Sequence, residues 1–149
     1  MKKTSLSSLV ALGLAAAFSQ PISAASCPQS ALGGWWYGTI NVINSADTTK
    51  NYVGNCVYQF DKQGNLQADG NQSYCIAVSS DPVLNGSTNY VTSGSLVFAS
   101  GSCTLTGSIA WKAGGVSSFK GHMNSVGKSV VNGTFLNSTG GVGTIDLTK

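Results

Sequence analysis

The residues able to do chemistry in this chain are few, and their spacing narrows the choice. Four cysteines, Cys27, Cys56, Cys75 and Cys103, form an even set. No Cys-x-x-Cys and no paired histidine accompanies them, which argues against zinc and for two disulfides in an oxidising compartment. The single histidine, His122, is in phase with Lys120 on a strand pattern that places both on an outer face, where a lone imidazole is ordinarily only solvated. Most of the five aspartates fall in turn-like stretches, where carboxylates cap or bend the chain. No paired-carboxylate or nucleophile-base pattern stands out, so the expectation is a protein that is not an enzyme, with no cofactor and no metal. What remains is aromatic: Tyr52, Tyr58, Tyr90, Trp111, Phe119 and Phe135 form the candidate ligand-binding set.

The elements that would position these residues are strands. From Ser102 to Leu147 a unit recurs in which two bulky apolar residues flank a glycine at period two: Leu105-x-Gly107-x-Ile109, Phe119-x-Gly121-x-Met123 and Val131-x-Gly133-x-Phe135, with Gly143-x-Ile145-x-Leu147 closing the series. Period two puts the marked residues on one strand face. Upstream, the same reading gives strands over 33–43, 52–61, 66–78 (broken near Asp69-Gly70-Asn71) and 90–99. In the last of these, Tyr90, Thr92, Gly94, Leu96 and Phe98 share a side. Strands follow over 102–111, 116–124, 129–137 and 142–148, separated by Gly- and Ser-rich turns. No stretch after residue 25 has helical spacing.

Eight strands with mostly hairpin-length links make a meander. The expected fold is therefore all-β, an eight-stranded antiparallel up-and-down barrel, with a β-sandwich as the alternative. In-phase glycines favour closure, because strongly coiled strands must approach closely on the inner face. Such a barrel is filled by side chains or holds one small molecule, and the same lining serves a packed core or a pocket. A pocket would open away from Trp36, with Tyr52, Tyr90, Trp111 and the loops 44–51 and 79–89 at its mouth.

The chain has 149 residues, enough for one domain with a sizeable core. Residues 1–24 read as a secretory signal peptide: Met1-Lys2-Lys3, an apolar run from Leu9 to Phe18, and small residues ending at Ala24 and Ala25. The remainder, 25–149, is the single barrel domain, exported to the periplasm or the medium. Lipidation of Cys27 is disfavoured, because Ala24 stands where leucine is usual and three cysteines would be left. After the leader there are six lysines and five aspartates, with no arginine or glutamate. The scattered charges offer no basic patch for nucleic acid, and no later stretch is apolar enough for a membrane helix. Asn71, Asn85, Asn132 and Asn137 each begin an N-x-[ST] triplet, read as chance in a chain with a bacterial-type leader.

Gly34-x-Trp36 (or Gly33-x-Trp35), at the start of the first strand, resembles the Gly-x-Trp of the calycin superfamily, the lipocalins and avidins. The resemblance implies a basic residue from the last strand lying over the tryptophan, and Lys149 stands where it is needed. Further lipocalin motifs and the biotin-contact pattern of avidins are not recognisable, so the resemblance names no ligand. Four cysteines allow three pairings. Barrel geometry favours Cys27–Cys103 at the Trp36 end and Cys56–Cys75 on adjacent strands. The resulting expectation is a monomeric binding protein for a small apolar or amphipathic molecule. The alternative is a protein that recognises a protein or carbohydrate partner through its outer surface, as an inhibitor or lectin does.

Overall fold

A computed structural model describes residues 26–124 and 126–149. The expected signal peptide and its cleavage point lie outside the described residues. Eight antiparallel strands follow in chain order: β1 (Gly34–Asn44), β2 (Tyr52–Phe60), β3 (Tyr74–Val78), β4 (Thr88–Phe98), β5 (Thr104–Trp111), β6 (Val116–Met123), β7 (Val130–Asn137) and β8 (Gly141–Thr148). Each pairs with the next, and β1 also pairs with β8 from Tyr37↔Thr148 to Asn44↔Gly141. The sheet is thus a closed barrel and not a sandwich.

Closure depends on close approach between strands. A Cβ on Gly38 would stand 1.9 Å from the Asp146 carbonyl oxygen of β8, so no larger residue fits there without moving backbone. Gly121 and Gly133 are directly opposed across β6 and β7. The ring of Phe119 lies over both, 2.5 and 2.6 Å from where their Cβ atoms would be. An aromatic ring thus covers the backbone that two glycines expose, which helps pin the register of β6 on β7.

The barrel end bearing Trp36 is solid. A short 3-10 helix, Gln29–Leu32, crosses it. Leu32 and Trp36 are fully buried, and the Trp36 indole Nε1 donates to the Leu32 carbonyl at 2.6 Å. Lys149 Nζ sits 5.2 Å from the Trp36 ring centroid and donates to the Ala31 carbonyl at 2.9 Å. Gln29 bridges further strands: its Nε2 donates to the Leu96 and Gln63 carbonyls, and its Oε1 accepts from Phe98 N–H. The Cys27–Cys103 disulfide anchors the lead-in to β5, and Cys56–Cys75 joins directly opposed residues of β2 and β3. Two disulfides suit an oxidising, extracytoplasmic setting.

The structure differs from the strand reading in two places. The expected strand over 66–78 is divided. Its regular part is only β3, a 3-10 turn occupies Asp69–Asn71, and residues 64–67 bridge β2 and β4 separately through Phe60↔Leu66 and Asn65↔Ser95. In β4 the register shifts between Val91 and Ser93, a bulge at Thr92. Upstream of it the side chains exchange faces, so Val91 points inward in place of Tyr90 and Thr92.

Among the described residues, no helix is long and apolar enough to cross a membrane. The outer faces of β5 to β8 carry Thr106, Ser108, Ser118, Lys120, His122, Asn132, Thr134, Thr144 and Asp146, all exposed. A lipid-facing barrel wall has an apolar outer band and a polar lumen. On these four strands the outward face is mixed, with Val116, Leu136 and Val142 among the polar residues, and the inward face is apolar.

Candidate functional site

The half of the barrel away from Trp36 is hollow. A cavity of about 310 Å³ opens at the end formed by the loops after β1, β3, β5 and β7, at the small end of ligand pockets, which run ~300–1,000 Å³. Period two brings its walls together. β1 supplies Ile40 and Val42, β2 supplies Tyr52 and Tyr58, and β5 supplies Ile109 and Trp111. Phe119 of β6 and Phe135 of β7 are directly opposed, and Ile145 completes the wall from β8. Cys75 and Ala77 of β3 form the facing side. The rim is polar, with Asn44, Lys50, Ser87, Asn89 and Thr139. Lys50 pairs with Asp47 at 3.4 Å, both exposed.

Polar groups of Tyr52, Tyr58, Trp111, Ser117 and Asn137 reach into this apolar space. Tyr58 is fully buried and its hydroxyl meets Cys75 Sγ at 3.2 Å. Burial, reinforced by Tyr52 nearby, pushes the Tyr58 phenol far above its ordinary value of 10.0, and burial also raises Tyr52. The ring of Tyr58 stands edge-on to Trp111, centroids 6.5 Å apart. Trp111 is held by its indole Nε1, which donates to Ser117 Oγ at 2.9 Å. Asn137 Nδ2 donates to the same oxygen at 3.1 Å.

Of the six candidate ligand-binding residues, the structure brings five to the cavity wall: Tyr52, Tyr58, Trp111, Phe119 and Phe135. Tyr90 is not among them. The bulge at Thr92 turns it outward, where its ring meets Tyr74 at 6.1 Å and Lys112 Nζ lies 5.8 Å from its centroid. Neither Ser117 nor Asn137 is among the candidate ligand-binding residues of the sequence reading. The signal for them was present, since Ser117 is in phase with Phe119 and Asn137 with Phe135. A polar residue at an inward position of an otherwise apolar face was the feature to follow.

Outside the cavity, an apolar ladder crosses the outer face of four strands: Tyr37↔Val57, Val57↔Tyr74 and Tyr74↔Tyr90. Trp35 and Ile76 flank it, 41% and 38% exposed. His122 is exposed on the opposite side of the barrel, opposed to Asn132. No group of three or more His, Cys, Asp or Glu side chains that could hold a metal ion occurs among the described residues.

No family model matches the chain, and no curated protein matches it. Solved structures do share its architecture. One is a redesigned β-barrel, mFAP1, bound to DFHBI. It has a TM-score of 0.56 at 13% identity, over 83% of this chain and 100% of that one. Another redesigned β-barrel has a TM-score of 0.50 at 15% identity, over 85% of this chain and 98% of that one. At these identities the likeness is one of fold.

Proposed function

We propose that this protein is an exported, non-enzymatic binding protein that holds one small apolar or amphipathic molecule inside its barrel. The observation that carries the reading is the half-hollow interior. One end is packed solid around Trp36, while the other keeps a cavity of about 310 Å³ under a polar rim. A core selected only for stability closes such a void, because unfilled volume costs stability in proportion to its size. A redesigned barrel of the same fold is bound to DFHBI, which supports the use of such an interior for a ligand. The calycin-like placement also belongs to this reading, supported by Lys149 over Trp36 at the start of β1. The expected site residues are Tyr52, Tyr58, Trp111, Phe119 and Phe135.

Titration with prodan, a neutral dye whose emission reports solvent polarity, tests the cavity. Blue-shifted emission and quenching of tryptophan are expected. Ala77→Trp, which places an indole in the cavity, should weaken binding at least ~10-fold through overpacking. Binding that ignores Ala77→Trp moves the site to the outer surface and ends this reading. Export predicts that the mature chain begins at Ala25 or Ser26. The intact mass of the protein recovered outside the cytoplasm checks it, and an uncleaved chain retained in the cytoplasm would end that part.

A second reading rests on the outer ladder of Tyr37, Val57, Tyr74 and Tyr90, an aromatic strip that suits a protein or carbohydrate partner. Prodan binding that is lost in Tyr37→Ser and kept in Ala77→Trp would favour it.

A further inference from the structure

We infer that Ser117 is the donor that orients the bound molecule, and that the ligand class is a neutral, planar aromatic compound bearing a carbonyl-type acceptor oxygen. This deepens the proposed binding function and rests on it.

Ser117 is 5% exposed and begins the inward face of β6, opposed to Ile109 on one side and Asn137 on the other. Its oxygen accepts two hydrogen bonds, from Trp111 Nε1 and from Asn137 Nδ2. Neither donor can reverse its role. An indole N–H only donates, and the Asn137 amide is fixed by its Oδ1, which accepts from Thr139 N–H at 2.9 Å and Thr139 Oγ1 at 2.7 Å. A hydroxyl oxygen has two lone pairs, and both are used. The hydroxyl hydrogen must therefore point away from both donors, and no acceptor among the described residues receives it. The open direction is the cavity that Ser117 lines. Water entering through the mouth can take this hydrogen, so a ligand that displaces the water must bring an acceptor oxygen of its own or leave the donor unpaired, which is costly.

The rest of the lining defines the ligand body. Tyr52, Tyr58, Trp111, Phe119 and Phe135 offer ring faces and edges suited to a flat aromatic molecule. The lining contains no carboxylate, and its one cation, Lys50, is at the rim against Asp47. A charged group carried inside would lose its water without a counter-charge, so a neutral ligand is favoured. The Tyr58 hydroxyl is already engaged with Cys75 Sγ; Tyr52 also carries a hydroxyl on the lining, but that of Ser117 is fixed by two hydrogen bonds, so its donor direction is set.

Fluorene and fluorenone, planar molecules that differ by one carbonyl oxygen, test this on the intact protein. Affinities are read by tryptophan quenching, and the carbonyl stretch of bound fluorenone by infrared spectroscopy. We expect both to bind, with the fluorenone stretch below its value in dry hexane. Ser117→Ala also frees Trp111 and Asn137, so the ratio of the two affinities is read: relative to fluorene, the fluorenone preference should fall roughly 5- to 10-fold, and the stretch should return to the hexane value. If both bind and the wild-type stretch matches hexane, or the preference survives Ser117→Ala, the inference is overturned while the cavity function stands. If neither binds, both are overturned. Should Ser117→Ala fail to fold, the wild-type infrared shift alone decides.

Discussion

Tyr58 concentrates the electrostatic oddity of the cavity in one residue. Its phenol is fully buried, faces a disulfide sulfur and lies near the Tyr52 phenol, so ionisation is strongly opposed. The sign for stability follows. Below pH 10.0 the native and unfolded chains both hold this proton, and Tyr58 contributes no pH dependence. Above it the unfolded chain releases the proton while the native chain keeps it, so stability falls as pH rises. Tyr58→Phe should therefore flatten the alkaline loss of melting temperature. A residual slope from Tyr52 is expected, because its phenol is also raised by burial. In an ultraviolet titration of the five tyrosines, the last ionisation should coincide with unfolding. Five tyrosines that all ionise in the folded protein, or a variant with an unchanged alkaline slope, would refute this account of Tyr58.

At the scale of the strand, the glycines decide whether the sheet closes. Gly38 faces the β8 backbone so closely that Gly38→Ala must push β1 and β8 apart. The expected loss is ~3 kcal/mol or more by urea denaturation, at or above the usual range for overpacking. A loss under ~1 kcal/mol would mean that the closing seam has slack. These glycines, and most of the inner face, were legible in the sequence because period two survives wherever strands are unbroken. It failed at Tyr90, where one extra residue at Thr92 reverses the phase of everything upstream. Nothing in Tyr90-Val91-Thr92-Ser93-Gly94 marks a bulge locally, since the shift is set by what β4 must meet on β5. The split of the third strand was half legible. Asp69-Gly70-Asn71 announced a break, but the separate pairing of residues 64–67 with β2 and β4 depends on long-range contacts. Ser117 escaped for a different reason. Its inward phase with Phe119 was readable, but its role arises from Trp111 and Asn137, which the fold brings to it.

Over the whole molecule the barrel is asymmetric along its axis and around its wall, and the two asymmetries meet at the mouth. The base is tied by the Gln29 bridges, by Trp36 under Lys149 and by Cys27–Cys103. Around the wall, the seam between β3 and β4 is the least paired, for only Tyr74, Cys75 and Ile76 find partners on β4. Below it residues 64–67 keep the wall shut, with Leu66 N–H donating to Gly94 and Leu96 N–H to Gly64. The Cys56–Cys75 bond holds β3 to β2, so opening at the mouth must separate β4 from β3 and leave the β2–β3 pair intact. That movement widens the cavity beside Cys75 and Ala77, and besides the short ladder it breaks the bonds from Ala77 N–H to Ser87 and from Gly86 N–H to Ala77. Local opening of this kind exchanges backbone hydrogens faster than global unfolding does. Hydrogen exchange should therefore be fastest, among strand amides, in Tyr74–Val78 and in residues 88–90, and slowest in β5 to β8. Occupancy by prodan should slow exchange at this seam more than elsewhere, because the ligand must leave the wall closed to remain enclosed. Uniform protection around the barrel would remove the seam as the route by which a molecule reaches the interior.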